Sequence, residues 1–203
     1  MTIYLIRHGQ SVVNTERRLT CRDLSGELTT LGYNQAYRAG VWLKDKNIGQ
    51  MHVSPFERTR KTADLISKEI GINTYKLDDD LQELHCGSLE GQSNRDGWGK
   101  WLEVYGRWMA GEWDAGFPDG ETFKEAYDRL LRALMRAVQT QTNTALITHG
   151  GITRAVLPYL CVNAAALQRA EMLAHGGVIV LSPYDTGRFV CESWNITQHL
   201  KGL

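Results

Sequence analysis

Short apolar runs, each followed by polar residues and most by a helix-like stretch, constrain the fold of this 203-residue chain more than any other feature. The first run, residues 3–6, is continuous rather than alternating, which is typical of a strand buried on both faces. We predict further strands at residues 51–54, in INTYKLDD, in TALITHGG, and in a closing hairpin formed by GGVIVLS and RFVCESWNI. This alternation predicts an α/β fold, a three-layer α/β/α sandwich with a mostly parallel sheet.

Helical spacing of apolar residues supports the intervening layers. Thr29 or Thr30 is a plausible N-cap for the stretch that follows LTT, and Gly71 is a plausible stop after FERTRKTADLISKEI. A long amphipathic helix is predicted from Phe123 onward, with arginines in its later turns that suit the helix dipole.

Composition excludes several classes of function. Basic and acidic residues number 23 each, so the net charge gives no reason to expect nucleic acid or a membrane as partner. No apolar run approaches the roughly 20 residues of a membrane helix, and the first residues do not resemble a signal peptide. The four cysteines form no C-x-x-C pair, so we expect neither a zinc knuckle nor a dithiol motif. A cytoplasmic protein with reduced thiols is the expectation.

One stretch fits no strand. Residues at about 91–120 are rich in glycine and tryptophan, and we predict that they form an insertion within a single domain spanning residues 1–203. One helix face there would carry Trp98, Trp101, Leu102, Tyr105, Trp108 and Met109. Packing is the simpler interpretation of this stripe. The alternative is that the insertion caps a site and sets the preference for a leaving group.

Residues suited to an anion follow four of the predicted strands. Arg7 and His8 follow the first, and Arg58 lies just beyond the second. Glu83 follows the third and His149 the fourth. Because ligands of open α/β sheets bind outside the carboxyl ends of the strands, we expect these side chains to converge.

This set of side chains suits phosphate chemistry. Two guanidiniums can bind a dianion, and a neutral imidazole can attack phosphorus. A second histidine and helix N-termini can donate to developing charge, while a carboxylic acid can protonate a leaving oxygen. A transition metal fits less well, because two arginines rarely surround one and no H-E-x-x-H spacing is present.

Four motifs resemble, in order, those of the histidine phosphatase superfamily, the phosphoglycerate-mutase-like branch. They are LIRHGQS with Asn14, SPFERTRKTA, LQELHCGSLEG and LITHGG. The resemblance covers nearly the whole chain and implies a phosphoglycerate-mutase-like three-layer fold and a phosphohistidine mechanism. It implies no metal and no organic cofactor.

The resemblance also implies roles for individual residues. His8 would be the nucleophile, and Glu83 would be the acid for the departing alcohol and then the base for water. Asn14 would touch the phosphate or the incoming oxygen, and the backbone N–H of Gly150 would be a further donor. The phosphate pocket would be completed by Arg7, Arg58 and His149. Departures from the motifs, such as Thr59 where alanine is common, bear on the substrate rather than on the reaction.

The remaining histidines and one glutamate have simpler interpretations. We interpret His52 and His199 as structural. His85 and His175 lie near glycines and could line the pocket, although a structural role is favoured for both. Glu121 opens a helix, so capping explains it, with a role near the site as the alternative.

A phosphatase that hydrolyses a small phosphorylated metabolite is the predicted function, with a small-molecule phosphomonoester as the partner. The alternative is a cofactor-dependent mutase of the phosphoglycerate type, and a regulator that only binds phospho-ligands is a third possibility. The insertion is aromatic and offers Arg95, Lys100 and Arg107 but no adjacent arginine pair, which favours the phosphatase. The sequence leaves open whether the chain is a monomer or a homodimer.

Overall fold

A six-stranded sheet forms the centre of the computed structural model, which describes residues 1–16, 18–22, 26–93, 95–163 and 172–203. The strands are β1 Ile3–Arg7, β2 Ile48–Val53, β3 Lys76–Leu77, β4 Asn143–Thr148, β5 Val178–Asp185 and β6 Arg188–Ile196. Their order in the sheet is β3-β2-β4-β1-β5-β6. The first four strands pair in parallel, whereas β5 and β6 add an antiparallel hairpin beside β1. The predicted α/β fold with a mostly parallel sheet is confirmed.

Helices cover both faces of this sheet. They are α1 Val12–Thr15, α2 Thr30–Leu43, α3 Glu57–Ile70, α4 Arg95–Met109, α5 Phe123–Gln139 and α6 Gly150–Leu160. Short 3-10 turns occupy Lys44–Lys46, Asp79–Leu81, Gly87–Leu89 and Gln198–Leu200. No helix within the described residues is both long enough and apolar enough to cross a membrane.

The first strand shows why its apolar run is continuous. Ile3 and Leu5 point into a core shared with α5 and α6, while Tyr4 and Ile6 point into a second core against α2 and α3. Successive side chains of a strand alternate between faces, so a strand with helices on both sides needs apolar residues at every position. One core lies between the sheet and each layer of helices, so the two cores separate the three predicted layers.

Helix ends agree with the predicted signals. The Thr29 side chain accepts a hydrogen bond from the Gly32 N–H at 3.0 Å and caps α2. Gly71 ends α3 in the left-handed region at φ 75°, where a side chain would be strained.

Two strands differ from the predicted bounds. The second is longer, Ile48–Val53, because its first half lies where the sheet meets solvent and needs no apolar run. The third is only Lys76–Leu77, and Leu77 at this sheet edge is 55% exposed. The Asp78 side chain then caps the turn Asp79–Leu81, which ends the pairing and leads the chain toward Glu83.

The predicted insertion contains α4. Its residue 94 lies outside the described residues. Trp108 is buried, and its indole N–H donates to the Ala115 carbonyl at 2.8 Å. Leu102 on the same predicted stripe is instead exposed, so the stripe is not a single packing face. The assignment of residues 1–203 to one domain remains a prediction.

Candidate active site

The carboxyl ends of β1, β2 and β4 bring the predicted arginines and histidines together. Arg7 ends β1 and His8 follows it, while His149 is the residue before α6. The His8 and His149 rings lie 5.2 Å apart, and Arg58 Nε lies 3.3 Å from His149 Nδ1. His8, Arg58 and His149 are each at most 2% exposed. The predicted convergence at one sheet edge is therefore present.

The tautomer of His8 follows from its backbone contact. Its Nδ1 lies 2.7 Å from the Gly9 carbonyl oxygen, which can only accept a hydrogen bond. The proton therefore sits on Nδ1, and Nε2 keeps its lone pair in the neutral ring. Burial, and then the charges of Arg58 and Arg7, hold the pKa of His8 well below its usual value. His8 thus presents a neutral, nucleophilic Nε2 at neutral pH.

His149 is held by two partners. Arg58 Nε donates to its Nδ1, so the proton of the neutral ring lies on Nε2, 2.8 Å from Ser54 Oγ. Burial and the charge of Arg58 keep its pKa well below the usual value. The ring orients Arg58, and a phosphate oxygen would have to compete with Ser54 for the Nε2 proton. Direct contact of His149 with phosphate remains a prediction.

The two arginines concentrate positive charge in a chain without net charge. Arg58 Nη2 donates to the Thr20 carbonyl at 3.2 Å, and Arg7 Nη1 donates to the Leu173 carbonyl at 2.6 Å. Burial lowers the pKa of Arg7 to about 10, against the opposing effect of Glu83. Its buried Nε finds no hydrogen-bond partner among the described residues. That N–H is available for an anion.

Backbone donors hold Glu83 at the N-terminus of α6. The Gly151 N–H donates to Oε2 at 2.8 Å, and the Ile152 N–H donates to Oε1 at 2.6 Å. A third N–H, from Leu84, reaches Oε1 at 2.9 Å. These donors orient the carboxylate beside Arg7 and complement its charge with the helix dipole.

The glycine pair after His149 is required by close packing. A Cβ at Gly150 would lie 2.9 Å from the Arg7 guanidinium carbon, and one at Gly151 would lie 2.6 Å from Glu83 Oε1. Both positions therefore exclude a side chain unless a functional group moves. Donation from the Gly150 N–H to phosphate remains a prediction.

Asn14 serves a local turn and also faces the site. Its Oδ1 accepts from the Ser11 N–H at 3.0 Å and from the Ser11 hydroxyl at 2.8 Å. Asn14 thus forms part of the capping box of α1. Asn14 also lines the cavity beside Arg7, where its amide N–H₂ can be offered to an oxyanion.

A cavity of about 330 Å³ leads to this cluster. Arg7 and Glu83 are among the residues that line it, whereas His8 and His149 are buried and outside its lining. The helix α4 supplies aromatic and apolar lining through Trp98, Trp101, Leu102 and Tyr105. The insertion therefore lines the same cavity as Arg7 and Glu83, and its role as a cap remains a prediction.

A model of the histidine phosphatase superfamily (branch 1) matches residues 3–197 of the chain. The chain belongs to this superfamily. The predicted family resemblance is confirmed.

Curated relatives of this superfamily member include two kinds of enzyme. A metal-independent phosphoserine phosphatase from Arabidopsis thaliana is 29% identical over 205 residues, covering 99% of this chain and 84% of the relative. A probable phosphoglycerate mutase from Erwinia tasmaniensis is 30% identical over 213 residues, covering 99% of this chain and 95% of the relative.

Solved structures share the fold at lower identity. A mycobacterial glucosyl-3-phosphoglycerate phosphatase superposes with a TM-score of 0.79 at 22% identity, covering 96% of this chain and 98% of that one. A phosphoserine phosphatase from Entamoeba histolytica in complex with 3-phosphoglyceric acid gives 0.78 at 22% identity, covering 98% of each chain. These likenesses establish the three-layer fold.

His175 joins the site of this superfamily member, although a structural role was favoured from sequence. Its ring lies 5.6 Å from His8, and burial with the charges of Arg7 and Arg58 lowers its pKa to about 3. The strand topology is the signal that could have placed His175 at the site. Since β5 runs antiparallel to β1, the residues just before β5 reach the edge where β1 ends.

The other histidines remain outside the cluster. His52 pairs with Asp78 at 3.5 Å within the sheet, and His199 Nε2 lies 2.9 Å from the Gly176 carbonyl oxygen. His85 is tied through its backbone N–H, which donates to Glu121 Oε1 at 2.6 Å. It is not among the residues that line the cavity.

The capping interpretation of Glu121 is wrong. Thr122 and Glu125 form the capping box of α5, so the cap begins one residue later. Glu121 instead accepts from Arg129 Nη2 at 2.8 Å and Nε at 2.9 Å. From the sequence, Arg129 is only one of the arginines that suit the dipole of this helix, and its ion pair with Glu121 is not predicted.

Arg129 fixes the loop that carries Glu83. Besides Glu121, its guanidinium reaches three carbonyl oxygens at 2.6–3.1 Å, those of Asp80, Gln82 and Glu83. One partly buried guanidinium therefore donates hydrogen bonds to three carbonyl groups between β3 and Glu83. Arg129 thus binds the backbone carbonyl of Glu83, while N–H groups of α6 bind its carboxylate.

Proposed function

We propose that this protein is a phosphatase that hydrolyses small phosphomonoesters through a phosphohistidine intermediate on His8. One observation carries the proposal. The Gly9 carbonyl holds the His8 proton on Nδ1 and leaves Nε2 free, among buried cations. Few other chemistries need a neutral histidine beside two arginines.

The first step forms the Nε2–P bond and breaks the bond between phosphorus and the ester oxygen. Arg7 and Arg58 balance the charge that develops on the phosphoryl oxygens. Glu83 in its acid form gives its proton to the departing alkoxide. The alcohol leaves, and the phosphoryl group stays on His8.

The second step returns the enzyme to its starting state. The Glu83 carboxylate takes a proton from water, and the resulting oxygen attacks phosphorus. The P–N bond breaks, its electron pair returns to Nε2, and inorganic phosphate is released. Glu83 regains the proton that it lost, so the cycle needs no metal or organic cofactor.

The aromatic wall of the cavity supports a role for the insertion in substrate choice. Trp101 stacks on Tyr105 with ring centres 5.3 Å apart, which gives a flat apolar surface in the cavity that Glu83 also lines. Arg18 and Arg154 also line this cavity. We infer that the leaving group combines an apolar or flat portion with an anionic group that these arginines can bind.

A mutase of the phosphoglycerate type is the second candidate. The lining residue Arg154 favours it, because a phosphoglycerate substrate carries a carboxylate, whereas Arg18 in the same lining pairs with Glu16 at 3.1 Å. Arg107, one of the basic residues considered from sequence, instead pairs with Glu112.

A cytoplasmic location is also proposed, and it is supported by four free and buried cysteines.

The test measures phosphate release from p-nitrophenyl phosphate in the presence of a chelator. We expect turnover by the wild type and at least a 1,000-fold loss in His8→Asn, since His8 is the proposed carrier of the phosphoryl group. His85→Asn, a histidine outside the cluster of His8, Arg58 and His149, is the matched control and should keep its activity. Rapid quenching should trap an acid-labile, base-stable phosphoprotein in the wild type and in His85→Asn but not in His8→Asn.

Two outcomes would contradict the proposal. Turnover by His8→Asn within tenfold of the wild type would exclude the covalent step. Loss of all wild-type activity on chelation would require a metal. A panel of phosphorylated metabolites then separates the candidates, because a mutase transfers phosphate to a second hydroxyl and leaves inorganic phosphate at background.

A further inference from the structure

Two cysteines and a glutamate meet beside the cavity, apart from the residues used in the reaction. The Sγ atoms of Cys21 and Cys86 and a carboxylate oxygen of Glu90 all lie within 4.8 Å of one another. Cys86 is fully buried and Cys21 is 5% exposed. Cys21 lies far in the chain from Cys86 and Glu90, so the three do not form a local metal motif. The tertiary structure alone assembles them.

The glutamate of this cluster is held in place by backbone donors. Both oxygens of Glu90 accept from the Cys21 N–H, at 2.9 and 3.0 Å, and Oε1 also accepts from the Arg22 N–H at 3.1 Å. The Cys86 thiol donates to Oε2 at 3.4 Å. The carboxylate therefore joins the Cys21 segment to the turn Gly87–Leu89 before any ligand binds.

The electrostatics of the cluster suit a cation. A hydrogen bond from the Cys21 thiol to Cys86, burial, and the negative charges of Glu83 and Glu90 raise the pKa of the Cys21 thiol well above its usual value. A divalent cation at the centre would reverse this balance, because it stabilises thiolates and is itself attracted by the carboxylates.

We propose that Cys21, Cys86 and Glu90 form a binding site for a thiophilic divalent cation such as Zn²⁺ or Cd²⁺. Two thiolates and one carboxylate supply three positions of a tetrahedron. Cys21 lines the cavity, so water or a small ligand can take the fourth. Binding forms two metal–sulfur bonds and one metal–oxygen bond and releases the two thiol protons. Mg²⁺ and Ca²⁺ are disfavoured, since they select oxygen ligands.

The site would connect two segments that hold the reaction residues. Cys21 follows Thr20, whose carbonyl accepts from Arg58, and Cys86 follows closely after Glu83. A bound cation would join these segments through bonds stronger than the existing thiol contacts. We therefore expect the melting temperature to rise with the concentration of the cation.

The experiment titrates the reduced full-length protein with Cd²⁺ and follows the ultraviolet thiolate-to-cadmium charge-transfer band. This band reports sulfur ligands, so Cd²⁺ at the active-site histidines does not contribute. We expect one equivalent to saturate the wild type, and the band to fall by at least half in Cys21→Ser and in Cys86→Ser. Cys161→Ser and Cys191→Ser, the other buried cysteines, are the matched controls and should bind like the wild type.

Glu90→Gln keeps both thiols and removes one charge, so it should weaken Cd²⁺ at least tenfold while it keeps the band. A full band in Cys21→Ser, or loss of the band in Cys161→Ser, would overturn the proposal. Absence of a band in the wild type would do so directly.

A measurement on the wild type covers the case in which the cysteine variants fail to fold. Because two thiol protons are released, the apparent Kd for Cd²⁺ should fall about 100-fold for each pH unit between pH 6 and 8. Glu83 and Glu90 are the acidic groups whose charges act on Cys21. A Kd that does not change with pH would exclude the two thiols as ligands.

Discussion

Replacing Gly151 with alanine should displace the Glu83 carboxylate without unfolding the protein. The new Cβ would lie 2.6 Å from Oε1 and 3.0 Å from Oε2, whereas ordinary contact begins at 3.4 Å. The carboxylate must therefore retreat by about 0.8 Å. It sits at the end of a flexible side chain, and alanine favours the helix by about 1 kcal/mol over glycine, so stability should change little.

The activity should respond far more strongly than the stability. A displacement of about 1 Å in a catalytic group can cost about 100-fold in rate. We expect kcat/KM for an alkyl phosphate to fall by about that factor, because an alkoxide needs the proton from Glu83. For p-nitrophenyl phosphate, whose phenolate leaves unaided, the fall should be about tenfold or less.

The assay compares kcat/KM for both esters with the free energy of unfolding in urea. Gly106→Ala is the matched control, since Gly106 is an exposed residue of α4 with no atom within 4 Å of its Cβ position. It should keep both activities and gain up to about 1 kcal/mol. If folded Gly151→Ala kept its activity on the alkyl ester, or lost both activities equally, Glu83 would not be the acid.

Three further predictions test the electrostatics and packing around the site. Lowering the pH from 7.5 to 5.5 should reduce the free energy of unfolding by about 4 kcal/mol, measured by urea denaturation. The pKa values of His8, His149 and His175 lie well below 6.5 in the folded state, so the unfolded chain takes up protons that the folded chain refuses; an unchanged free energy would contradict this. Trp108→Ala should cost about 3–5 kcal/mol and leave substrate preference unchanged, because Trp108 is 1% exposed in the core. Trp101→Ala should lower the free energy of unfolding by less than Trp108→Ala and should change the ranking of kcat/KM across a panel of phosphomonoesters. An unchanged ranking would show that the insertion does not determine substrate preference. Arg129→Met should cost about 3–5 kcal/mol in urea denaturation, since it leaves the buried Glu121 carboxylate without its cation, and should lower kcat by releasing the Glu83 loop. Wild-type kcat in that variant would limit Arg129 to a structural role.

Much of the site was predictable because its residues directly follow strands. Continuous apolar runs marked β1 and β4, and parallel strands deliver the residues after them to one edge. That reasoning predicts from the sequence alone that Arg7, His8 and His149 lie together at one edge of the sheet. The weakest prediction was the third strand, since an edge strand of two residues leaves almost no pattern of apolar residues.

Contacts between segments that are distant in the chain could not be predicted from the sequence. Arg129 looked like a complement to the helix dipole, yet it binds Glu121 and three carbonyls of the loop before the acid. His175 reaches His8 only because β5 runs antiparallel to β1. Neither arrangement leaves a local signal, because it depends on how distant segments pack.

The sequence by itself determined the layer architecture, the superfamily motifs and the residue types available for phosphate chemistry. These follow from local periodicity and from the rule that parallel strands end at a common edge. Only the tertiary structure decided which nitrogen of His8 carries the proton, which N–H groups hold Glu83, and that Cys21 meets Cys86. The first depends on the backbone conformation that brings the Gly9 carbonyl to His8 Nδ1. The other two depend on distances of about 3–5 Å between segments remote in the chain, and such distances are set by packing rather than by sequence order.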